Sequence, residues 1–244
     1  MYTLNADTYS LIVQLLPVEG INQLRSTSSL NSKQLSTLRN TDNFWKLRLE
    51  KVLNAEINYI PTKYTWHQLY TKVTSGDSDL NQKLIDFSKK GDLEVVQLLL
   101  EVGADVTTKN NKAIRYASEN GHLEVVKLLI QAGADVTAEN NEAIRWASYD
   151  GYAEVVQLLL KTGADVTANN NSALCLASEN GHTQVVQLLL KTGANVTADD
   201  NYPIRAASEE GHTEVVKLLL KAGADVTAGN NEAIQLASKK DTLK

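Results

Sequence analysis

The sequence predicts an all-α chain: a solenoid of stacked helix pairs preceded by a small helical domain. Three observations carry that prediction. A thirty-residue unit recurs five times, as GDLEVVQLLLEVGADVT from Gly91, GHLEVVKLLIQAGADVT from Gly121, GYAEVVQLLLKTGADVT from Gly151, GHTQVVQLLLKTGANVT from Gly181 and GHTEVVKLLLKAGADVT from Gly211. Apolar residues inside each copy follow helical spacing. Glycines stand at two fixed places per copy and divide it into two helices. Repetition at this period describes an array in which each unit buries its apolar face against its neighbours, and such arrays bind far more often than they catalyse.

Each unit opens with a short first helix, Glu142 to Ser148 in EAIRWAS, after which Tyr149 and Asp150 lead to Gly151. That glycine and its equivalents stand where the helix must stop, in a left-handed conformation that glycine adopts at little cost. The second helix follows in EVVQLLL, with Val155, Leu158 and Leu159 at i, i+3 and i+4 as its apolar stripe. Gly163 ends it, and asparagine-rich segments (AENNE, ANNNS, AGNNE) connect one copy to the next. Small residues at Ala117, Ala147, Ala177 and Ala207 let the two helices of a pair approach closely. Both ends are irregular. The first unit, from Asn81, departs from the pattern at Ile85, Asp86 and Phe87, as a cap would, and the last stops at Lys244, with Lys239, Lys240 and Lys244 giving a solvated face.

The motif GH.EVV.LLL..GAD, nearly intact in five copies, resembles ankyrin repeats over residues 80 to 244. Ankyrin units are typically about 33 residues long. Here the copies are thirty, and the family's Thr-Pro-Leu-His opening is replaced by KAIR, EAIR, SALC, YPIR and EAIQ. The resemblance therefore implies a solenoid with short or absent β-hairpin fingers. Thirty-residue copies with AIRWAS-like openings are similar to ankyrin proteins of giant DNA viruses that infect amoebae.

Residues 1 to 79 lack the repeat and read as short helices. Leu11, Ile12, Leu15 and Leu16 form an apolar face closed by Pro17, and Ile21, Leu24, Leu30, Leu35 and Leu38 continue it. DNFWKLRLEKVL supplies a further helix, YTWHQLYTKV another, and TSGDSD a linker. The run of LIVQLL, GINQL and DNFW resembles an F-box. Such a domain implies a Skp-family partner from a cullin ubiquitin ligase, contacted by Leu11, Ile12, Leu15, Leu16, Pro17 and Leu24. The Leu-Pro pair that opens the first helix of an F-box stands here at the helix end, Leu16 and Pro17. Read without the resemblance, the same leucines close a small helical bundle, and Trp45 beside Phe44 belongs to its core.

The net charge of −5 is unevenly divided: eight Lys/Arg against seven Asp/Glu in residues 1 to 79, sixteen against twenty-two beyond. An acidic array without a basic stripe repels phosphates, so nucleic acid is not an expected ligand. Cys175 stands alone, which fits a reducing compartment. The aliphatic blocks are far too short for a bilayer, and the first residues lack a signal-peptide pattern. A cytoplasmic monomer is expected, in the host cytoplasm if the chain is viral.

His122, His182 and His212 recur at one position in separate units, where they cannot share a metal ion, so they read as structural side chains bonding backbone at the helix junction. No nucleophile, base and orienting acid recur together, and no phosphate loop appears, so neither an active site nor a cofactor is expected. Arg115, Arg145 and Arg205 recur at the ankyrin histidine position and read as a ladder of hydrogen bonds between units, or as ligand contacts. Function is sought where copies differ. The first-helix positions read Tyr116, Trp146, Leu176, Ala206 and Leu236; the position before that helix reads Lys112, Glu142, Ser172, Tyr202 and Glu232; the pairs before the glycine read EN, YD, EN, EE and KK. The resemblance implies that targets bind the concave side formed by first helices, with Tyr116, Trp146, Tyr149 and Tyr202 as anchors, since large aromatics dominate interface energetics. Tyr116 and Trp146 equally fit a role in covering their neighbours.

Overall fold

The computed structural model describes residues 46, 49–50, 57, 63–75, 79–229 and 231–235. The predicted Skp contacts Leu11, Ile12, Leu15, Leu16, Pro17 and Leu24, together with Phe44, Trp45, Leu236 and the lysines from Lys239 onward, lie outside the described residues. The described residues are helical and turn, with no strand among them. They fall into two compact units, one within residues 1–83 and 94–104, the other within 84–93 and 105–244.

In the first unit, α1 (Trp66–Thr74) forms where YTWHQLYTKV predicts a helix. A capping box starts it: Thr65 Oγ1 accepts from the Gln68 N–H at 3.3 Å while Gln68 Oε1 accepts from the Thr65 N–H at 2.8 Å. Trp66, Leu69 and Val73 are buried at i, i+3 and i+7, alongside buried Leu49 and Ile57. Two further helices follow along the chain: α2 (Leu80–Lys90), which from Leu84 onward belongs to the second unit, and α3 (Leu93–Glu101), which from Glu94 onward belongs to the first. Glu94 on α3 is buried and accepts from the backbone N–H groups of Lys63 and Tyr64, the latter at 3.1 Å. Its repeat equivalents Glu124, Glu154 and Glu214 are exposed, so one framework glutamate is redirected to hold the chain ahead of α1. Lys83, also buried, donates through Nζ to the Ser75 carbonyl at 2.9 Å.

The second unit carries four helix pairs: α4 (Thr108–Glu119) with α5 (Leu123–Gln131), α6 (Ala138–Tyr149) with α7 (Ala153–Lys161), α8 (Ala168–Glu179) with α9 (Thr183–Lys191), and α10 (Ala198–Glu210) with α11 (Thr213–Lys221). First helices pack on first helices, and second on second. The buried set of α7 is Val155, Val156 and Leu159, while Leu158, predicted in the stripe, is half-buried. A second helix is packed by its own first helix and by second helices on both sides, so adjacent positions turn inward and the stripe widens. Each fully buried Val or Leu contributes about 1.5–3 kcal/mol relative to exposure. Ala117, Ala147, Ala177 and Ala207 are fully buried where first and second helices meet, as their size predicts.

The asparagine-rich segment does more than connect. Glu139, Asn140 and Asn141 hold φ of 53°, 55° and 59°, a left-handed turn that precedes the regular helix and repeats in α4, α8 and α10. Regular α6 therefore starts at Glu142 as predicted, and it runs on through Tyr149. The last asparagine of each turn is buried and locks the unit: Asn111, Asn141, Asn171 and Asn201 accept through Oδ1 from the N–H groups of Asp135, Asp165, Asn195 and Asp225 at 2.7–2.8 Å. Beyond that point Asp165 Oδ1 accepts both the N–H and the hydroxyl of Thr167 at 2.8 Å, a compact turn in place of a projecting finger. The structural role predicted for the histidines is observed. His122, His182 and His212 meet the carbonyls of Lys89, Tyr149 and Glu179 through Nε2 at 3.0, 2.7 and 2.9 Å.

Candidate protein-binding face

The first helices present one face whose outward positions vary from copy to copy. On α6, Ala143, Ile144, Ala147 and Ser148 are buried, which turns Glu142, Arg145, Trp146 and Tyr149 outward. Trp146 is 38% exposed and Tyr149 40%, the two rings meeting edge to face at 5.6 Å. Tyr116, Leu176 and Tyr202 are half-buried, and Ala206 is buried. The exposed aromatic surface of the first helices is thus concentrated on α6.

The arginines tie units together. Arg115 Nη1 pairs with Glu142 of the next unit, and its Nε and Nη2 donate to the carbonyls of Asn110 and Lys109 at 3.1 and 3.2 Å. Arg205 pairs likewise with Glu232. Arg145 donates to the Glu139 carbonyl at 3.3 Å, and the next unit offers Ser172 where the others offer glutamate. Glu142 also accepts from Trp146 Nε1 at 3.1 Å, which fixes the indole. Two of the three arginines therefore form the predicted ladder, and the third is bonded within its own unit.

Rings and charges are matched differently along the face. Lys112 and Lys89 each place Nζ 5.0 Å from the Tyr116 ring centroid. Tyr202 donates its hydroxyl to Glu179 Oε2 at 3.1 Å, and burial together with that bond raises its pKa above 10.0. Cys175, in the arginine position, has a thiol pushed up to about 11 by burial and by Asp199, so it stays protonated and unreactive near neutrality. Among the described residues no group of three or more His, Cys, Asp or Glu side chains comes together to hold a metal. A shallow cleft of about 360 Å³ lies on the second-helix side, between Gly121, Tyr152 and Gln184. No helix among the described residues is long and apolar enough to cross a membrane.

A family model described as ankyrin repeats (3 copies) matches residues 84–170 and 144–230, more than half of the chain. The chain belongs to the ankyrin-repeat family. Ankyrin repeats bind protein partners and typically act as non-enzymatic interaction scaffolds, so the array is a protein–protein interaction scaffold. In this ankyrin protein the left-handed asparagine turn is the feature least apparent from the amino acids. Its signal is the invariance of Asn111, Asn141, Asn171, Asn201 and Asn231, while the residue before each becomes aspartate in one copy (Asp200) and the one before that changes in every copy.

Proposed function

We propose that the ankyrin array captures a target protein on the first-helix face, with Trp146 and Tyr149 as the anchors and Lys112, Arg115, Tyr116, Glu142, Arg145, Leu176, Tyr202 and Arg205 around them. The observation that carries this reading is the exposed, edge-to-face Trp146–Tyr149 pair on a rigid helix whose indole is already oriented by Glu142. Rigid aromatic side chains lose little freedom on binding and supply much of the energy at interfaces. Trp146→Ala with Tyr149→Ala should abolish target capture while thermal unfolding stays cooperative. Undiminished capture by the folded double variant would move the site off α6.

The finer reading is that the chain is an adaptor without catalysis of its own: residues 1–79 recruit a Skp-family subunit of a cullin ligase, and the array holds the target for ubiquitylation in the cytoplasm. The F-box resemblance of LIVQLL, GINQL and DNFW supports it. Calorimetry of the full chain against a Skp-family protein tests it, with Leu11→Asp and Leu15→Asp as the control; saturable binding lost in the control is the expected result. A second reading, in which the amino-terminal residues only close the end of the array, is favoured by the buried Glu94 that holds Lys63 and Tyr64. No binding by the folded chain would leave this second reading standing.

A further inference from the structure

This inference rests on the binding face proposed above and names the chemistry it recognises. The Tyr116 ring is served from within the chain, by Lys112 one turn earlier on α4 and by Lys89 in the preceding unit. One unit further along, the ring is Trp146, and the two positions that hold those lysines hold Glu142 and Glu119. Among the described residues no Lys or Arg lies over Trp146 or Tyr149. Arg145, the one cation of α6, is directed to the Glu139 carbonyl.

From α6 onward, charge separates between the first-helix and second-helix sides in the same sense. Residues 138–150, 168–180 and 198–210, which contain the first helices α6, α8 and α10, carry eight carboxylates against two arginines, and α7, α9 and α11 carry two glutamates against four lysines; α4, with Lys109, Lys112 and Arg115 against Glu119, stands apart from this pattern. Tyr149 has Glu119 and Glu179 at its own register position in the units before and after it, and exposed Asp150 beside it. An aromatic face attracts a cation through its quadrupole, and flanking carboxylates add to that attraction. A carboxylate side chain of a partner would meet repulsion at the same place.

We propose that Trp146 and Tyr149, framed by Glu119, Glu142, Asp150 and Glu179, receive a lysine or arginine from a basic segment of the partner protein. The partner supplies over Trp146 the cation that Lys89 and Lys112 supply over Tyr116.

The test titrates the full chain with a fluorescein-labelled oligolysine peptide, and with oligoglutamate of the same length, by anisotropy. Saturable oligolysine binding is expected, with none of oligoglutamate. Trp146→Ala, which leaves the charge unchanged, should weaken it roughly tenfold. Glu119→Gln should weaken it as well, whereas Glu214→Gln, the same charge change on α11, should leave it within about twofold. Glu119→Lys should remove binding by placing an internal cation over Trp146. Affinity indifferent to Trp146→Ala, or equally sensitive to Glu119→Gln and Glu214→Gln, would overturn the inference as diffuse attraction to an acidic protein. The same variants in target capture separate the two claims. Capture that depends on Trp146 without any oligolysine binding would sink the basic segment and keep the binding face; capture indifferent to Trp146 and Tyr149 would sink both.

Discussion

The imidazole of His182 occupies the space where Gly151, in the preceding unit, would carry a side chain. A Cβ on Gly151 would fall 2.5 Å from His182 Nδ1, and the same ring bonds the Tyr149 carbonyl at 2.7 Å. Equivalent contacts join Gly91 to His122, Gly121 to Tyr152 and Gly181 to His212. The glycine thus serves twice, turning the chain at φ 79° and admitting the ring of the next unit. Gly151→Ala should cost about 2–4 kcal/mol, from left-handed strain and overpacking together. Gly163→Ala, at φ 108° with nothing within 4 Å of the added carbon, should cost only the strain, about 1–2 kcal/mol. Urea denaturation of the two variants checks the difference; equal losses would show that the ring moves aside freely.

Asn141→Ala should destabilise the chain by about 1–3 kcal/mol, because the Asp165 N–H loses its acceptor at the edge of the core. Asn140→Ala, an exposed neighbour in the same turn, should cost less than half as much. Denaturation midpoints of both variants measure this. A larger loss at Asn140 would mean that the left-handed turn, rather than the bond to Asp165, is what the asparagines provide.

Much of this array was legible in the amino acids. Periodicity locates the helix pairs, Gly151 and Gly163 locate their ends, and the histidines read as backbone-bonding side chains because separate units cannot share a metal ion. Helical spacing places Leu158 in the stripe because spacing alone does not say that a second helix has neighbours on three sides. The role of Asn141 is a contact across 24 residues, and Glu94 meets Lys63 and Tyr64 across about thirty, distances at which composition and spacing are silent. At the binding face the aromatic candidates could be written down by comparing copies. What that comparison lacked was geometry: only the packed helices show that Tyr116 is already covered by cations and that Trp146 is not.

Ser172→Glu should stabilise the array by about 0.5–1 kcal/mol. It would give Arg145 the inter-unit carboxylate that Glu142 gives Arg115 and Glu232 gives Arg205. Arg145 Nε is buried without a hydrogen-bond partner, so the guanidinium has unused donor capacity there. The pairing is isolated by a double-mutant cycle with Arg145→Ala, in which the gain should vanish. A gain that persists in that background would place its origin in helix propensity or the macrodipole at the start of α8.

Acid should weaken the fold through the turns that end each unit. Hydrogen bonds from the Thr107, Thr167 and Thr227 hydroxyls, and then from their backbone N–H groups, hold Asp105, Asp165 and Asp225 below the ordinary 3.8. A carboxyl whose folded pKa is depressed adds stability that is complete above its unfolded value and is lost as pH falls through its folded one. The loss should therefore set in below about pH 4 and deepen with further acidification. Nature supplies the control in Asn195, which accepts the Thr197 N–H and hydroxyl at 3.0 and 2.9 Å with no charge to titrate. Replacing Asp105, Asp165 and Asp225 by asparagine should flatten the acid limb of stability against pH, because the turns survive and their titration is gone. Urea midpoints across the acid range measure it. An acid limb as steep in the triple variant as in the parent would assign the loss to other carboxylates, the Arg115–Glu142 and Arg205–Glu232 pairs first among them.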